Sequence, residues 1–322
     1  MTTAGSFSYS LYGLTFESNV PLPALNSCDS SKTDVHVYLG KDLPVSTALR
    51  VWYVSDIREG LVPVLSASKA DDGSAYSFTY YDGTRFLLNG DGSKVFASWS
   101  SDYSLENTCY YLFGQIAAFV LRLRGILCVH GSTVLVDGRA VTISGDSGSG
   151  KSTTAAMFAR RGFPVLTEDV TAIRDEGGEF QVQAGYPRIN LWPDTADQVY
   201  GPRNELPTIT PTWEKQYLDL NSNDCFHPSV APLGALYLLG DRNDSNFAPY
   251  IEALSPSDAL ISLLTHAHGR SLVDEGMRQR ELSIASRIVN HTPVRRLIPH
   301  SNLDKLSSMI DVILEDYCAT IS

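Results

Sequence analysis

Basic residues are scarce in this chain. Its 322 residues carry 25 Lys and Arg against 36 Asp and Glu, a formal charge of −11 and a pI near 5.0. That balance excludes a domain-wide polycationic surface of the kind that binds nucleic acid. Charge of either sign is thin, at 19% of residues against 43% hydrophobic, which excludes a disordered chain or a charge-rich coiled coil. Cysteine is sparse as well. The five, Cys28, Cys109, Cys128, Cys225 and Cys318, are far apart, odd in number and without any CxxC, so neither a disulfide framework nor a zinc site is indicated and reduced thiols are expected. No hydrophobic run is long enough for a membrane: the most apolar, Tyr110 to Leu123, is interrupted by Gln115 and Arg122 and falls short of a bilayer core of ~30 Å. The N-terminus, MTTAGSFSYSLYGLTF, has no basic region followed by an apolar one and reads as a strand instead of a signal peptide. The expectation is a cytoplasmic globular protein with no membrane segment. Its oligomeric state, homo-oligomer included, stays open.

The length exceeds the ~100–200 residues of a typical domain, so two domains are expected. From Phe7 to Ser100 the segments FSYSLYGLTFES, DVHVYLG, VPVLSASKA and YSFTYYDGTRFLLNGDGSKVFASWS predict an antiparallel sheet, with turns at Asp82-Gly83 and Gly90-Asp91-Gly92. Ser104 reads as the N-cap of an amphipathic helix that Gly125 ends. Beyond it, ILCVHG, TVLVDG and AVTISG are short β-branched runs broken by glycine, followed by a helical pattern over Lys151 to Arg161 and the strand PVLTEDV. Further strands are predicted at FQVQAG and ALYLLGD, a Pro-rich surface excursion from Trp192 to Pro211, and helices from Ser255 to Leu264 and Asn302 to Tyr317. The expected layout is a β-rich domain over residues 1–103, a candidate peptide-binding surface, followed by an α/β domain over 104–322.

Gly145-Asp146-Ser147-Gly148-Ser149-Gly150-Lys151-Ser152 matches G-x-x-x-x-G-K-[ST], the phosphate-binding P-loop or Walker A sequence, and lies between a strand and a helix, the context the motif requires. Its glycines allow successive N–H groups to turn inward around an anion at the positive end of a helix, with Thr153 next in line. In that reading Lys151 reaches the β- and γ-phosphates of ATP and the Ser152 hydroxyl ligates Mg2+. Only 17 and 18 residues after Lys151 stand Glu168 and Asp169. Two adjacent carboxylates at a sheet edge can divide the work, one holding a metal and the other accepting a proton, or they can cap a turn. His130, at the end of an apolar strand, reads either as a hydrogen-bonded core residue or as an active-site group. Among the cations Arg188, Lys215, Arg270, Arg278, Arg295 and Arg296, Arg188 is the favoured anion binder; His266 and His268 in THAHGR do not read as a metal site.

The span VHGSTVLVDGRAVTISGDSGSGKSTTAAMFARRGFPVLTEDV resembles the catalytic core of the HPr kinase/phosphorylase family, relatives of phosphoenolpyruvate carboxykinase. The resemblance implies an ATP- and magnesium-dependent serine kinase in which Glu168 is the base, Asp169 binds the metal with Ser152, and His130 lies at the active site. Two features depart from that family: Thr153 stands where it has an acidic residue, and the acidic pair is Glu-Asp where it has Asp-Asp. Its R-G-x-G-x-x-N signature is represented by Gly185-Tyr-Pro-Arg188-Ile-Asn190-Leu. Over the whole chain, YGLTFESNVPLPAL, GYPRINLWPD, KQYLDL, PLGALYLLGDR, LTHAHGRSLVD and PVRRL resemble the HPr-kinase-like enzymes of lasso-peptide biosynthetic clusters. That likeness implies a kinase acting on the C-terminal serine of a ribosomally made precursor peptide, with His130, Lys151, Glu168 and Arg188 as the catalytic set. Two alternatives stand beside it: a kinase of HPr in sugar regulation, and an ATP-binding regulator that transfers nothing.

Overall fold

The computed structural model describes residues 6–40, 42–44, 48–55, 64–302 and 305–321, and the chain divides into two compact units. The first comprises residues 1–124 with the short segments 210–212 and 271–273. Its strands are β1 (Phe7–Leu11), β2 (Leu14–Ser18), β3 (Val35–Leu39), β4 (Arg50–Val54), β5 (Leu65–Lys69), β6 (Ala75–Tyr80), β7 (Arg85–Asn89) and β8 (Lys94–Ser98), and they form one sheet in the order β1-β2-β3-β8-β7-β6-β5-β4. The two Gly/Asp turns make hairpins as expected, joining β6 to β7 and β7 to β8. The all-antiparallel expectation needs correction, because β3 pairs parallel with both β2 and β8. A hairpin turn cannot join parallel neighbours, and the chain between Ser18 and Val35 is long enough to cross over instead. Of the predicted strand VPVLSASKA, Val62 and Pro63 lie outside the described residues and the remainder contains β5. Helices α1 (Leu105–Tyr111) and α2 (Ala117–Leu123), joined by a π-helical turn, bury Phe119 against Tyr76 and Phe78 of the sheet, with ring centroids 4.9 and 5.0 Å apart. Ser104 is the N-cap, its N–H donating to Asn107 Oδ1. This helical rod belongs to the first unit, so the chain parts at Arg124–Gly125 and not at residue 103: the aromatic face of the rod is satisfied by the β-sheet.

The second unit is a sheet with helices on both faces. Its elements are β9 (Leu127–Val136), β10 (Arg139–Ser144), α3 (Lys151–Arg160), β11 (Val165–Thr167), β12 (Val170–Glu176), β13 (Glu179–Val182), β14 (Arg188–Leu191), α4 (Pro193–Tyr200), β15 (Gln216–Asp219), β16 (Ala231–Leu239), β17 (Tyr250–Ala253), α5 (Pro256–Thr265), α6 (Glu275–His291), β18 (Val294–Ile298) and α7 (Leu306–Ile321). Successive residues of a strand face opposite sides. Ala235, Tyr237 and Leu239 of β16 therefore enter the core shared with α3 and α7, while Leu236 and Leu238 enter the one shared with α5 and α6. The Pro-rich excursion is partly helical, because Pro193 at the first turn of α4 suits a helix start.

Two details place the site. ILCVHG and TVLVDG form one strand, β9, that runs straight through Gly131, where a Cβ would come within 2.9 Å of the Ile143 carbonyl oxygen. The glycine serves close approach of β10, not a turn. The predicted strand PVLTEDV is instead two, β11 and β12, both paired antiparallel to β9, with Glu168 and Asp169 at the break. Because β9 is antiparallel to β10 as well, β10 and β11 still point the same way.

Candidate active site

The strand register brings the site together before any side chain is considered. Ser144, the last residue of β10, is paired with Gly131, and His130 is paired with Val170, the residue after Asp169. The loop that leaves β10 therefore lies beside both His130 and the acidic pair. A buried hydroxyl chain ties the three strands: Thr133 Oγ1 lies 2.9 Å from Thr142 Oγ1 and 2.9 Å from Thr171 Oγ1.

The loop from Gly145 to Gly150 turns into α3 with Gly148 at φ 80° and Gly150 at φ 112°, conformations a side chain opposes. Lys151 is folded back over it, its Nζ donating to the carbonyls of Gly145 at 2.9 Å and Asp146 at 2.7 Å. An ammonium has three donors, so one remains. Burial lowers the Lys151 pKa, opposed by the charges of Asp169, Glu168 and Asp146.

A cleft of about 280 Å³ opens at this point, and His130, Lys151, Ser152, Glu168, Asp169 and Asn190 all line it. Thr153, Ser147, Gly148 and Gly150 contribute to its loop wall; Asp146 and Ser149 face a separate hollow on the other flank of the loop. Glu168, only 4% exposed, accepts from Ser152 Oγ at 2.6 Å through Oε1 and from Asn190 Nδ2 at 3.0 Å through Oε2. Its pKa is raised by burial and by the neighbouring charge of Asp169. Asp169 has the opposite surroundings. Oδ1 lies 3.3 Å from His130 Nε2 and Oδ2 3.7 Å from His268 Nε2, the two rings meeting edge to face. Burial pushes the Asp169 pKa up, but the hydrogen bonds and charges of the two imidazoles outweigh it and hold it well below the usual carboxylate range. The backbone of Asp169 is left-handed, at φ 69°, which an Asp tolerates better than most residues.

This pairing departs from the expected one. Ser152 sits on Glu168, not on Asp169, and it is Asp169 that meets His130. Arg188 is also displaced from its expected place: its guanidinium carbon stacks 3.8 Å from the centre of the Tyr217 ring, and it does not line the cleft. The cations that do are Lys151, Lys215 and Arg242. Arg295 is 3.8 Å from Asp316. Asn190, Arg242 and His268 had no strong sequence signal; the only one pointing at Asn190 was its place at the end of the GYPRIN segment.

No family model matches the chain. No curated protein matches it either. Among solved structures, the HPr(Ser) kinase/phosphatase from Coxiella burnetii is similar at 13% identity with a TM-score of 0.34, an alignment covering 60% of this chain and 97% of that one. An overlap so loose leaves the chemistry to be read from the residues.

For a magnesium ion the residues fit. Ser152 Oγ and the Glu168 carboxylate are hard oxygen donors 2.6 Å apart, and Asn190, whose Nδ2 donates to Glu168, adds an Oδ1 that is buried without a hydrogen-bond partner; oxygens of this kind are what Mg2+ prefers when phosphate and water complete its shell. Among the described residues no cluster of three or more His, Cys, Asp or Glu has a metal-holding arrangement, and none of the helices is long and apolar enough to cross a membrane.

Proposed function

We propose that the chain is an ATP-dependent kinase that phosphorylates a serine hydroxyl of a ribosomally made peptide, in the manner of the lasso-peptide precursor kinases it resembles in sequence. One observation carries the reading: the complete phosphate loop, with Lys151 and Ser152 at the start of α3, faces Glu168, Asp169 and His130 across a single cleft. Backbone N–H groups of the loop and Lys151 bind the phosphates. Ser152, Glu168 and Asn190 are the residues that would hold Mg2+, which supplies charge neutralisation at the phosphate oxygens. Asp169 is kept ionised and oriented by His130 and His268, so it accepts a hydrogen bond from the acceptor hydroxyl, aims it at the phosphate and takes its proton late in the transfer. Phosphoryl transfer depends mainly on positioning, and the rigid strands β9, β11 and β12 provide it. Lys215, which also lines the cleft, offers a cation to an anionic acceptor.

The test presents γ-labelled ATP and Mg2+ with two acceptors, a serine-terminated peptide and the small phosphocarrier protein HPr. Label on the peptide is expected. HPr as the better acceptor would replace the substrate assignment, and bound ATP with no label transferred to either would support the regulator reading instead.

A further inference from the structure

Of the cations that line the cleft, two have an evident anion to meet. Lys151 lies on the phosphate loop through its hydrogen bonds to Gly145 and Asp146. Arg242 comes close to the residue that caps α3, since a Cβ on Gly150 would sit 3.7 Å from its Nη2. Both stand where phosphates collect, at the start of a helix. Lys215 comes from elsewhere. β14 and β15 pair antiparallel as a separate two-stranded ribbon, with Asn190 opposite Tyr217 and Leu191 opposite Gln216. One step further, at the end of the ribbon, Trp192 and Lys215 stand side by side: the ammonium lies 5.7 Å from the centre of the indole ring, within the range of a cation–π contact. Both line the cleft, as do Thr195 and Gln198 of α4. The main chain behind Lys215 is held in place, because its carbonyl accepts from the Ile209 N–H at 2.8 Å and the Tyr217 N–H donates to the Pro207 carbonyl at 2.9 Å.

We propose that Lys215, held beside Trp192, binds a carboxylate of the acceptor close to the serine hydroxyl, so that the cleft selects acceptors by that charge. The inference rests on the kinase reading above. The charge of Lys215 is felt where transfer takes place. Burial and Asp169 raise the Glu168 pKa, and Lys215 opposes them; burial lowers that of Lys151, and Lys215 adds to the effect. The phosphates already have the loop N–H groups, Lys151 and Arg242, which leaves Lys215, on the ribbon, for the acceptor. A peptide offers it two sources of one chemistry. In a chain-terminal serine the carboxylate and the hydroxyl sit on neighbouring carbons; a side-chain carboxylate of an adjacent Asp or Glu is the other. An ammonium suits either, being a point charge with three donors that demands no bidentate geometry. An acceptor without a carboxylate would cover Lys215 and strip it of water with no countercharge in return, which is costly. Trp192, 61% exposed, keeps the ammonium at the mouth of the cleft. Arg188 on the same ribbon does not share this role, since its guanidinium is stacked on Tyr217.

The experiment measures kcat/KM with Mg-ATP for three acceptors: a peptide ending in serine with a free carboxylate, its C-terminal amide, and that amide with Asp placed before the serine. The unmodified chain is expected to prefer the acid over the amide by about tenfold or more, the scale of one charge-assisted hydrogen bond, chiefly through KM. Lys215→Met should bring that ratio close to one, and Lys215→Arg, which keeps the charge, should retain most of it. A lysine with a merely structural role would lower both acceptors alike and leave the ratio in place. Recovery of rate by the Asp-bearing amide makes a side chain a second source of the carboxylate, and no recovery confines recognition to the chain end; either supports the proposal once Lys215→Met has removed the preference. Transfer by the unmodified chain without preference, or the same preference in Lys215→Met, overturns the proposal and leaves the kinase reading intact. No transfer to any of the three overturns the kinase reading, and the proposal with it.

Discussion

Glu168 and Asp169 are neighbours in sequence with opposite electrostatic surroundings. Burial and the neighbouring charge of Asp169 raise the Glu168 pKa, against the hydrogen bond from Ser152; Asp169 is held between two imidazoles that keep its pKa well below the usual carboxylate range. The two should therefore fail differently. Glu168→Gln is expected to weaken Mg-dependent ATP binding and activity together, because it removes the charge from the magnesium-ligating cluster. Asp169→Asn should leave ATP affinity nearly unchanged and lower single-turnover rate by about 10²-fold or more, the scale of a lost general base. Titration calorimetry beside single-turnover kinetics reads both. If Asp169→Asn is the variant that loses ATP, the metal sits on Asp169 after all. The loop, its lysine and the acidic pair were legible in the sequence because a contiguous motif encodes its own chemistry. The partnership within the pair was not, since it depends on His268 and Asn190, whose approach is set by strand register and by the turn after α5, and not by spacing.

Among the elements, β9 determines how the cleft is assembled. It carries His130, pairs with β10 ahead of the phosphate loop, and pairs with β11 and β12 on either side of the acidic pair. At Gly131 a Cβ would lie 2.9 Å from the Ile143 carbonyl oxygen of β10. Gly131→Ala forces a methyl against the Ile143 carbonyl, a backbone atom that cannot swing aside, and should cost about 1–3 kcal/mol, the usual scale of overpacking. The expected readout is a lower urea midpoint with an unchanged slope; an unshifted midpoint would mean that β9 and β10 separate without penalty. Glycine in this strand looked like a break in the sequence because a turn and a close approach ask for the same residue. Hairpins were legible, with Asp82-Gly83 and the Gly90-Asp91-Gly92 turn each joining the strands on either side. Parallel pairings such as β2 with β3 and β10 with β16 link distant segments that no local pattern connects. The long helix α6 went unpredicted as well: its Met277, Ile284, Ala285 and Ile288 make a buried face, but charged residues interrupt it in sequence.

At the scale of the whole molecule, an acidic chain of net charge −11 concentrates Lys151, Lys215 and Arg242 around one cleft. The general field repels polyanions, so anion binding has to come from local donors: the loop N–H groups, the start of α3 and these three cations. The chain's division at Arg124–Gly125 leaves every residue of the cleft in the second unit. The central claim is phosphoryl transfer at the loop, and Lys151 is its most exacting residue, because its ammonium lies on the loop itself, donating to the carbonyls of Gly145 and Asp146. The decisive measurement follows γ-labelled phosphate from ATP to a serine-terminated peptide by mass and radiolabel, with the unmodified chain and Lys151→Ala compared at equal folded concentration. Transfer of one phosphoryl group by the unmodified chain, and its loss in a folded Lys151→Ala variant, is the expected result; undiminished turnover in that variant would contradict the account.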